Sequence, residues 1–435
     1  MLFCSFEFLF IFFPVTLLFL RLTPNRLKNL TLLVFSLIFY FSMDPEHLWL
    51  LVLVVVFNFA CGYMMFSIPS AKKILLAVSV ITNVSTLAVF KYLGLFGIEI
   101  ALPVGISFYI FQCISYVKDV YDTNDCEKSI INFSSYITMF PQLVAGPIVK
   151  YSEIKENLTN KRYNVPKGIE RFVFGLSKKM IIANYAGEIF ENAVYGSVSI
   201  AGAWFGIIGY MLQIYFDFSG YSDMAIGIGK IIGFDFPENF NYPYTSKSIK
   251  EFWRRWHITL SSFFRDYVYI PLGGNRKGTA RTLLNLLIIW SLTGLWHGAG
   301  INFLAWGLYY FLLLMFEKSY VYKMTIEKAP SVLRHIITLF AILFGWLIFA
   351  FEDTATLSLY FSKMFAGVFI DAKTVYELLR NAVFILIASL FSTSMPIKIY
   401  NKCGNFRCVI TLFLFALSLC YIASSDYNPF LYFRF

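Results

Sequence analysis

Residues 215–300 read YFDFSGYSDMAIGIGKIIGFDFPENFNYPYTSKSIKEFWRRWHITLSSFFRDYVYIPLGGNRKGTARTLLNLLIIWSLTGLWHGAG. The stretch emerges from one apolar run, GIIGYMLQIYF, and closes on another, LLNLLIIWSLTGLWHG. Between them lie two of the four histidines of the chain, His257 and His297. Histidine titrates nearest neutral pH, so a scarce one beside tryptophans among apolar runs is a candidate acid or base. His297 ends its run where no water is at hand, and burying an imidazole there without a partner costs a few kcal/mol. It is therefore expected to meet a polar cavity and to be the reactive centre, against the plainer reading of a satisfied packing histidine. Thr293 and Gly294, four and three residues earlier, share its helical face and are expected to leave room for a substrate atom.

Working outward, 58% of the 435 residues are hydrophobic, 20% aromatic and only 14% charged. A spanning helix needs roughly 20 apolar residues, and stretches of that kind recur from end to end. The sequence thus predicts an all-α polytopic membrane protein of about 11 to 13 membrane or re-entrant helices, folded as a single integral domain over 1–435. The net charge of +10 is spread over short loops instead of one patch, which excludes nucleic-acid binding and fits membrane orientation. Basic loops around Arg21–Lys28 and Lys72–Lys73 are expected in the cytoplasm, as are Lys318–Arg334 and Lys398–Arg407. Both termini then lie outside the cell membrane. Residues 3–20, with no basic leader, read as a retained span and not a signal peptide. The seven cysteines have neither metal-ligand spacing nor a disulfide pattern, so no metal site is expected.

Polar residues at membrane depth mark the interior. Pro103 and Gly105, then Pro141, Gly146 and Pro147, predict broken helices in 102–121 and 140–154, tolerated only where protein or water satisfies the backbone. On a helical wheel, 253–267 forms one helix with a polar stripe of Arg254, His257, Ser261 and Arg265. Such a helix either walls a polar cavity or lies along the interface with His257 merely hydrogen-bonded. Asp217, Ser222 and Asp223 form a supporting polar cluster, in which an Asp is expected to orient a histidine or pair with Arg254 or Arg265. Gly227, Gly229 and Gly233 read as helix packing, not as a nucleotide loop. The basic turn with Arg276 and Lys277 suits a cytosolic loop touching donor phosphates, although orientation alone also explains its charge.

The motifs PVGISFYIFQCISY, FPQLVAGPI, YFDFSGYSDMAIGIGKIIGFDFPENFNYPY, EFWRRWHITLSSFFRDYVYIPLGGNRKG and LTGLWHG, over about 103–300, closely resemble the membrane-bound O-acyltransferase (MBOAT) family. The nearest branch is the alginate and peptidoglycan O-acetyltransferase membrane subunits of bacteria. The resemblance implies a helical ring with a central funnel, with His297 and His257 as catalytic residues. It further implies acetyl-CoA as donor substrate with no bound cofactor, a bacterial inner-membrane location, and an extracytoplasmic SGNH-type partner that acetylates a polysaccharide. The tail NPFLYFRF resembles an aromatic motif of a small partner in D-alanylation systems. Tyr432 is thus either an acyl relay or part of an interfacial aromatic anchor. Two other functions stay open: D-alanyl or other acyl transfer from a carrier protein to a teichoic-acid-type acceptor, and polysaccharide or lipid transport.

Overall fold

A computed structural model describes residues 1–98, 100–144, 146–196 and 199–424. Helix dominates, and no strand occurs among the described residues. In chain order the helices used below are α1 Phe13–Leu22, α2 Lys28–Phe41, α3 Leu48–Ser67, α4 Lys72–Tyr92, α5 Ile106–Thr123, α6 Ile130–Thr138, α7 Tyr151–Thr159, α8 Val165–Ser177, α9 Asn184–Tyr195 and α10 Ile200–Ile232. There follow α11 Ile249–Arg255, α12 Ile258–Phe264, α13 Gly278–His297, α14 Ile301–Lys318, α15 Ser331–Ala350, α16 Thr354–Lys363, α17 Ala372–Phe391 and α18 Phe406–Ser424. Among the described residues, five helices are long and apolar enough to cross a bilayer: α3, α4 with its flanking turns, α15, α17 and α18. At 20 residues, α3 is about 30 Å long, the thickness of a hydrocarbon core. The chain is an integral, all-helical membrane protein. Tyr432 lies outside the described residues.

Two compact units divide the chain. Among the described residues, one holds Met1–Leu176 with Tyr221–Glu238, the other Ser177–Gly220 with the chain from Asn239 to Ser424. The first is filled by phenylalanine: Phe3, Phe8, Phe12, Phe39 and Phe140 form a connected ring cluster with centroids 4.9–6.4 Å apart. Polar residues lock its helices where lipid offers no partner. Asn58 of α3 exchanges two amide hydrogen bonds with Asn83 of α4, at 3.1 and 2.7 Å, and accepts a third from Ser79 at 2.9 Å. Arg171 of α8 donates to Asp223 and Glu238, so Asp223 is held by an arginine. Gly227 packs α10 against α8, since a Cβ there would stand 2.6 Å from the Phe172 nitrogen. The glycine run is a packing surface, as its spacing suggests.

Of the two proline and glycine stretches, 140–154 is broken as expected, whereas 102–121 runs as one continuous helix from Ile106 after a non-helical entry. Gly105 takes φ +70° just before α5, and a Cβ on it would lie 2.2 Å from the Leu143 carbonyl, so only glycine fits. Residues 146–150 are non-helical and buried, between the single turn Phe140–Leu143 and α7. Side chains serve this backbone: Tyr136 Oη donates to Val149 O at 2.8 Å, and Gln142 Nε2 donates to Tyr136 O.

In the second unit, the expected single helix over 253–267 is two short helices. α11 stops at Arg255, Trp256 is extended, and His257 adopts φ 42°, ψ 55°, before α12 begins. The left-handed region costs a non-glycine residue roughly 1 kcal/mol or more, so the kink persists only where its surroundings impose it. They do so through Asn239 and Asn241. Asn241 N donates to Arg255 O at 2.9 Å, and Ile258 N donates to Asn239 O at 3.0 Å. A wheel sees only periodicity, and cannot see a neighbouring loop that substitutes for helical hydrogen bonds.

Candidate active site

The site begins with α13 and α14. Only three residues, Gly298 to Gly300, join them, so the two helices run antiparallel. Their backbones touch: a Cβ on Gly294 would stand 2.4 Å from Phe303 O, and one on Gly307 2.3 Å from Trp290 O. Gly294 thus makes room for a helix and not for a substrate atom, which corrects the expectation from sequence. Thr293 does face open space, with its hydroxyl donating back to Ile289 O at 2.8 Å.

That space is a cavity of about 900 Å³ within the second unit. Thr282, Leu286, Ile289, Trp290, Thr293 and His297 line it along one face of α13. At 1.5 Å per residue they mark a wall about 22 Å long. His297, 4% exposed, stands at the deep end, while Thr282 and Lys318 stand where α13 begins and α14 ends. Around the His297 ring are Trp296 at 4.7 Å, Trp306 at 5.0 Å and Phe349 at 5.0 Å between centroids.

His257 lines the same cavity and is 2% exposed. Phe218 meets its ring edge-on at 4.7 Å, and Trp296 lies 6.0 Å away, so one tryptophan touches both histidines. His257 Nδ1 lies 3.0 Å from Asn239 Oδ1. The same oxygen accepts from Thr259 N at 3.4 Å and Thr259 Oγ1 at 2.8 Å, which assigns it as the amide oxygen. Nδ1 then carries the proton and Nε2 the lone pair. The left-handed kink and the imidazole tautomer are thus set by one residue, Asn239. Sequence reading passed over it; the signal is a polar pair, Asn239 and Asn241, inside the otherwise aromatic FPENFNYPY.

The expected residues divide by position. Arg254, His257, Ser261 and Arg265 all line the cavity, on either side of the kink and not along one helix. Arg276 and Lys277 do not line it and are exposed. Asp217 pairs with Lys179 at 2.7 Å, both side chains nearly fully buried, and not with Arg254 or Arg265. Arg265 instead pairs with its neighbour Asp266 at 2.6 Å. Lys179 sits in a π-helical turn, Lys178–Ala183, and a buried carboxylate takes the cation its own unit brings to the same depth. Ser222 is buried at 1% exposure. Among the described residues no cluster of His, Cys, Asp and Glu is placed to hold a metal ion.

Charge is graded along the cavity. Six Lys and Arg residues line it against two Glu, and none of the eight is on the deep stretch of α13. One of the two, Glu317, accepts from the Ile249 and Lys250 backbone N–H groups and so tethers α14 to the start of α11. Lys250, Lys318, Lys323 and Arg334 are left to the mouth. A cationic mouth on a cavity that also holds two histidines and several aromatic rings is an arrangement that attracts anions.

A polytopic helical membrane protein with two histidines on one cavity is the class of molecule these features define. The chain belongs to the MBOAT, membrane-bound O-acyltransferase family, whose pattern matches residues 34–362, and it is an O-acyltransferase. It is 39% identical over 396 residues to a probable alginate O-acetylase of Azotobacter vinelandii, covering 84% of this chain and 78% of that protein. A peptidoglycan O-acetyltransferase of Helicobacter pylori is 34% identical over 399 residues, covering 79% and 75%. A teichoic acid D-alanyltransferase of Bacillus subtilis is 30% identical over 274 residues, covering 57% and 68%.

Proposed function

We propose that the chain is a membrane O-acetyltransferase that takes acetyl from a cytosolic thioester, acetyl-CoA, and passes it across the membrane for O-acetylation of a cell-envelope or secreted polysaccharide. The observation that carries this reading is the shared cavity: His297 and His257 at depth, a cationic mouth at the other end. The relatives named for alginate and peptidoglycan O-acetylation support the acetyl group and the class of acceptor.

The chemistry assigns each residue a task. His297 accepts the proton of the attacking hydroxyl as its oxygen bonds to the acetyl carbon. The carbon–sulfur bond breaks, and the departing thiolate takes the proton back from the imidazolium. His257, fixed by Asn239, presents Nε2 as the second active-site nitrogen. Arg254 and Arg265, with the lysines of the mouth, hold the phosphates of the donor. The aromatic walls keep water from the thioester. The bulky, charged carrier stays on the cytosolic side while acetyl leaves outward to an SGNH-type partner, with the chain in the bacterial inner membrane and both termini extracytoplasmic. Tyr432 would serve as the relay, and Tyr432→Phe leaving polysaccharide acetylation unchanged would remove it from the scheme.

Membranes carrying the wild type or His297→Ala, given radiolabelled acetyl-CoA, provide the test. Label is expected in polysaccharide for the wild type and lost by a factor of about 10³ or more in the variant. Equal label in both would end the assignment of His297. Label in neither would point to a carrier-bound donor.

A further inference from the structure

The turn joining α13 to α14 carries a polar group that the mechanism above leaves unused. Asn302, the second residue of α14, is 2% exposed, yet neither Nδ2 nor Oδ1 of its amide has a hydrogen-bonding partner. A primary amide offers two donors and two lone pairs, and buried groups of this kind are nearly always satisfied. Leucine or alanine would suit a purely structural position better.

The surroundings suggest what the amide awaits. Oδ1 is folded over Gly300, where a Cβ would stand 2.3 Å away. Gly300 is the N-cap of the 18-residue α14 and brings no side chain to it, so the opening N–H groups and the positive end of the dipole converge beside the amide. The next residue, Phe303, stacks on His297 with ring centroids 6.4 Å apart. This end of α14 therefore lies against the reactive imidazole. Asn302 does not itself line the cavity, whose wall on α13 ends at His297.

We propose that Asn302 and the open first turn of α14 form the subsite for the acceptor hydroxyl, past His297 from the thioester donor. The proposal rests on His297 acting as the base. An alcohol needs a donor to its oxygen and an acceptor for its proton. Asn302 Nδ2 supplies the first and His297 the second. As the O–H proton moves to His297, the oxygen bonds to the acetyl carbon and the carbon–sulfur bond breaks. The alkoxide character that develops meets the amide and the helix terminus. A neutral amide at a positive helix end also disfavours an ammonium group, so the subsite selects hydroxyl over protonated amine.

The test uses the purified full chain with radiolabelled acetyl-CoA as donor and benzyl alcohol as hydroxyl probe, comparing wild type, Asn302→Leu, Asn302→Ser and His297→Ala. In Asn302→Leu the KM for benzyl alcohol is expected to rise roughly tenfold or more, while that for acetyl-CoA stays within about twofold. Its Tm is expected to rise, because an unmet buried amide has been exchanged for carbon of similar volume. Asn302→Ser should recover part of the acceptor affinity. A lowered Tm in Asn302→Leu, or both KM values moving together, would make Asn302 structural and overturn the subsite. Wild-type rates in His297→Ala would instead overturn the base, a result distinct from any Asn302 outcome.

Discussion

Asn239 shows how much one side chain can decide. Its Oδ1 meets His257 Nδ1 and both donors of Thr259, and its carbonyl holds Ile258 N. Asn239→Ala leaves those buried donors unmet, at about 1–3 kcal/mol of stability, and frees His257 to leave its orientation. A fall in Tm together with a lowered kcat for acetyl transfer is the expected result. Asn239→Asp keeps an oxygen in place but sets a negative charge against Nδ1, which favours the imidazolium. The acid limb of the pH–rate profile should then move to higher pH, where a merely structural Asn239 would leave it still.

At the scale of elements, the α13–α14 hairpin and the α16 cap respond to different physics. The hairpin is fixed by backbone approach, through Gly294, Gly307 and the short turn, so His297 is delivered to a set depth with little help from charge. α16 is held at its start by charge. Asp353 accepts from Ala355 N at 3.2 Å, Thr356 N at 2.9 Å and Thr356 Oγ1 at 2.7 Å, and these bonds hold its carboxyl below the ordinary range. A depressed carboxylate stabilises the folded element above its unfolded pKa of about 3.9, and that contribution is lost as pH falls through the lower folded value. Amide exchange at 355–357 should therefore quicken only below about pH 4, and Asp353→Asn should flatten that dependence.

For the molecule as a whole, the decisive property is the gradient from a cationic mouth to a neutral, aromatic interior. Reversing two mouth charges, Lys250→Glu with Lys323→Glu, should raise the KM for acetyl-CoA roughly tenfold or more and reduce its salt dependence. The effect on kcat should be small, because neither residue is among the rings packed around His297. Equal KM values in variant and wild type, at low salt, would remove the mouth from donor binding.

The sequence by itself determined the solvent of this protein and singled out the histidines on which the proposed chemistry rests. Repeated apolar stretches leave no option but a helical membrane fold, because lipid cannot satisfy free backbone groups. A histidine ending such a run, inside LTGLWHG, marked the residue proposed here as the base. Pairings across long gaps stayed hidden, because local periodicity carries no trace of them: Lys179 with Asp217, Asn239 with His257. The break at Trp256–His257 was likewise set by a loop 15 to 20 residues upstream, through bonds that compete with a helix and win. Only the tertiary structure decided that two histidines 40 positions apart share one cavity, since three-dimensional proximity of buried polar groups is fixed by packing and not by spacing.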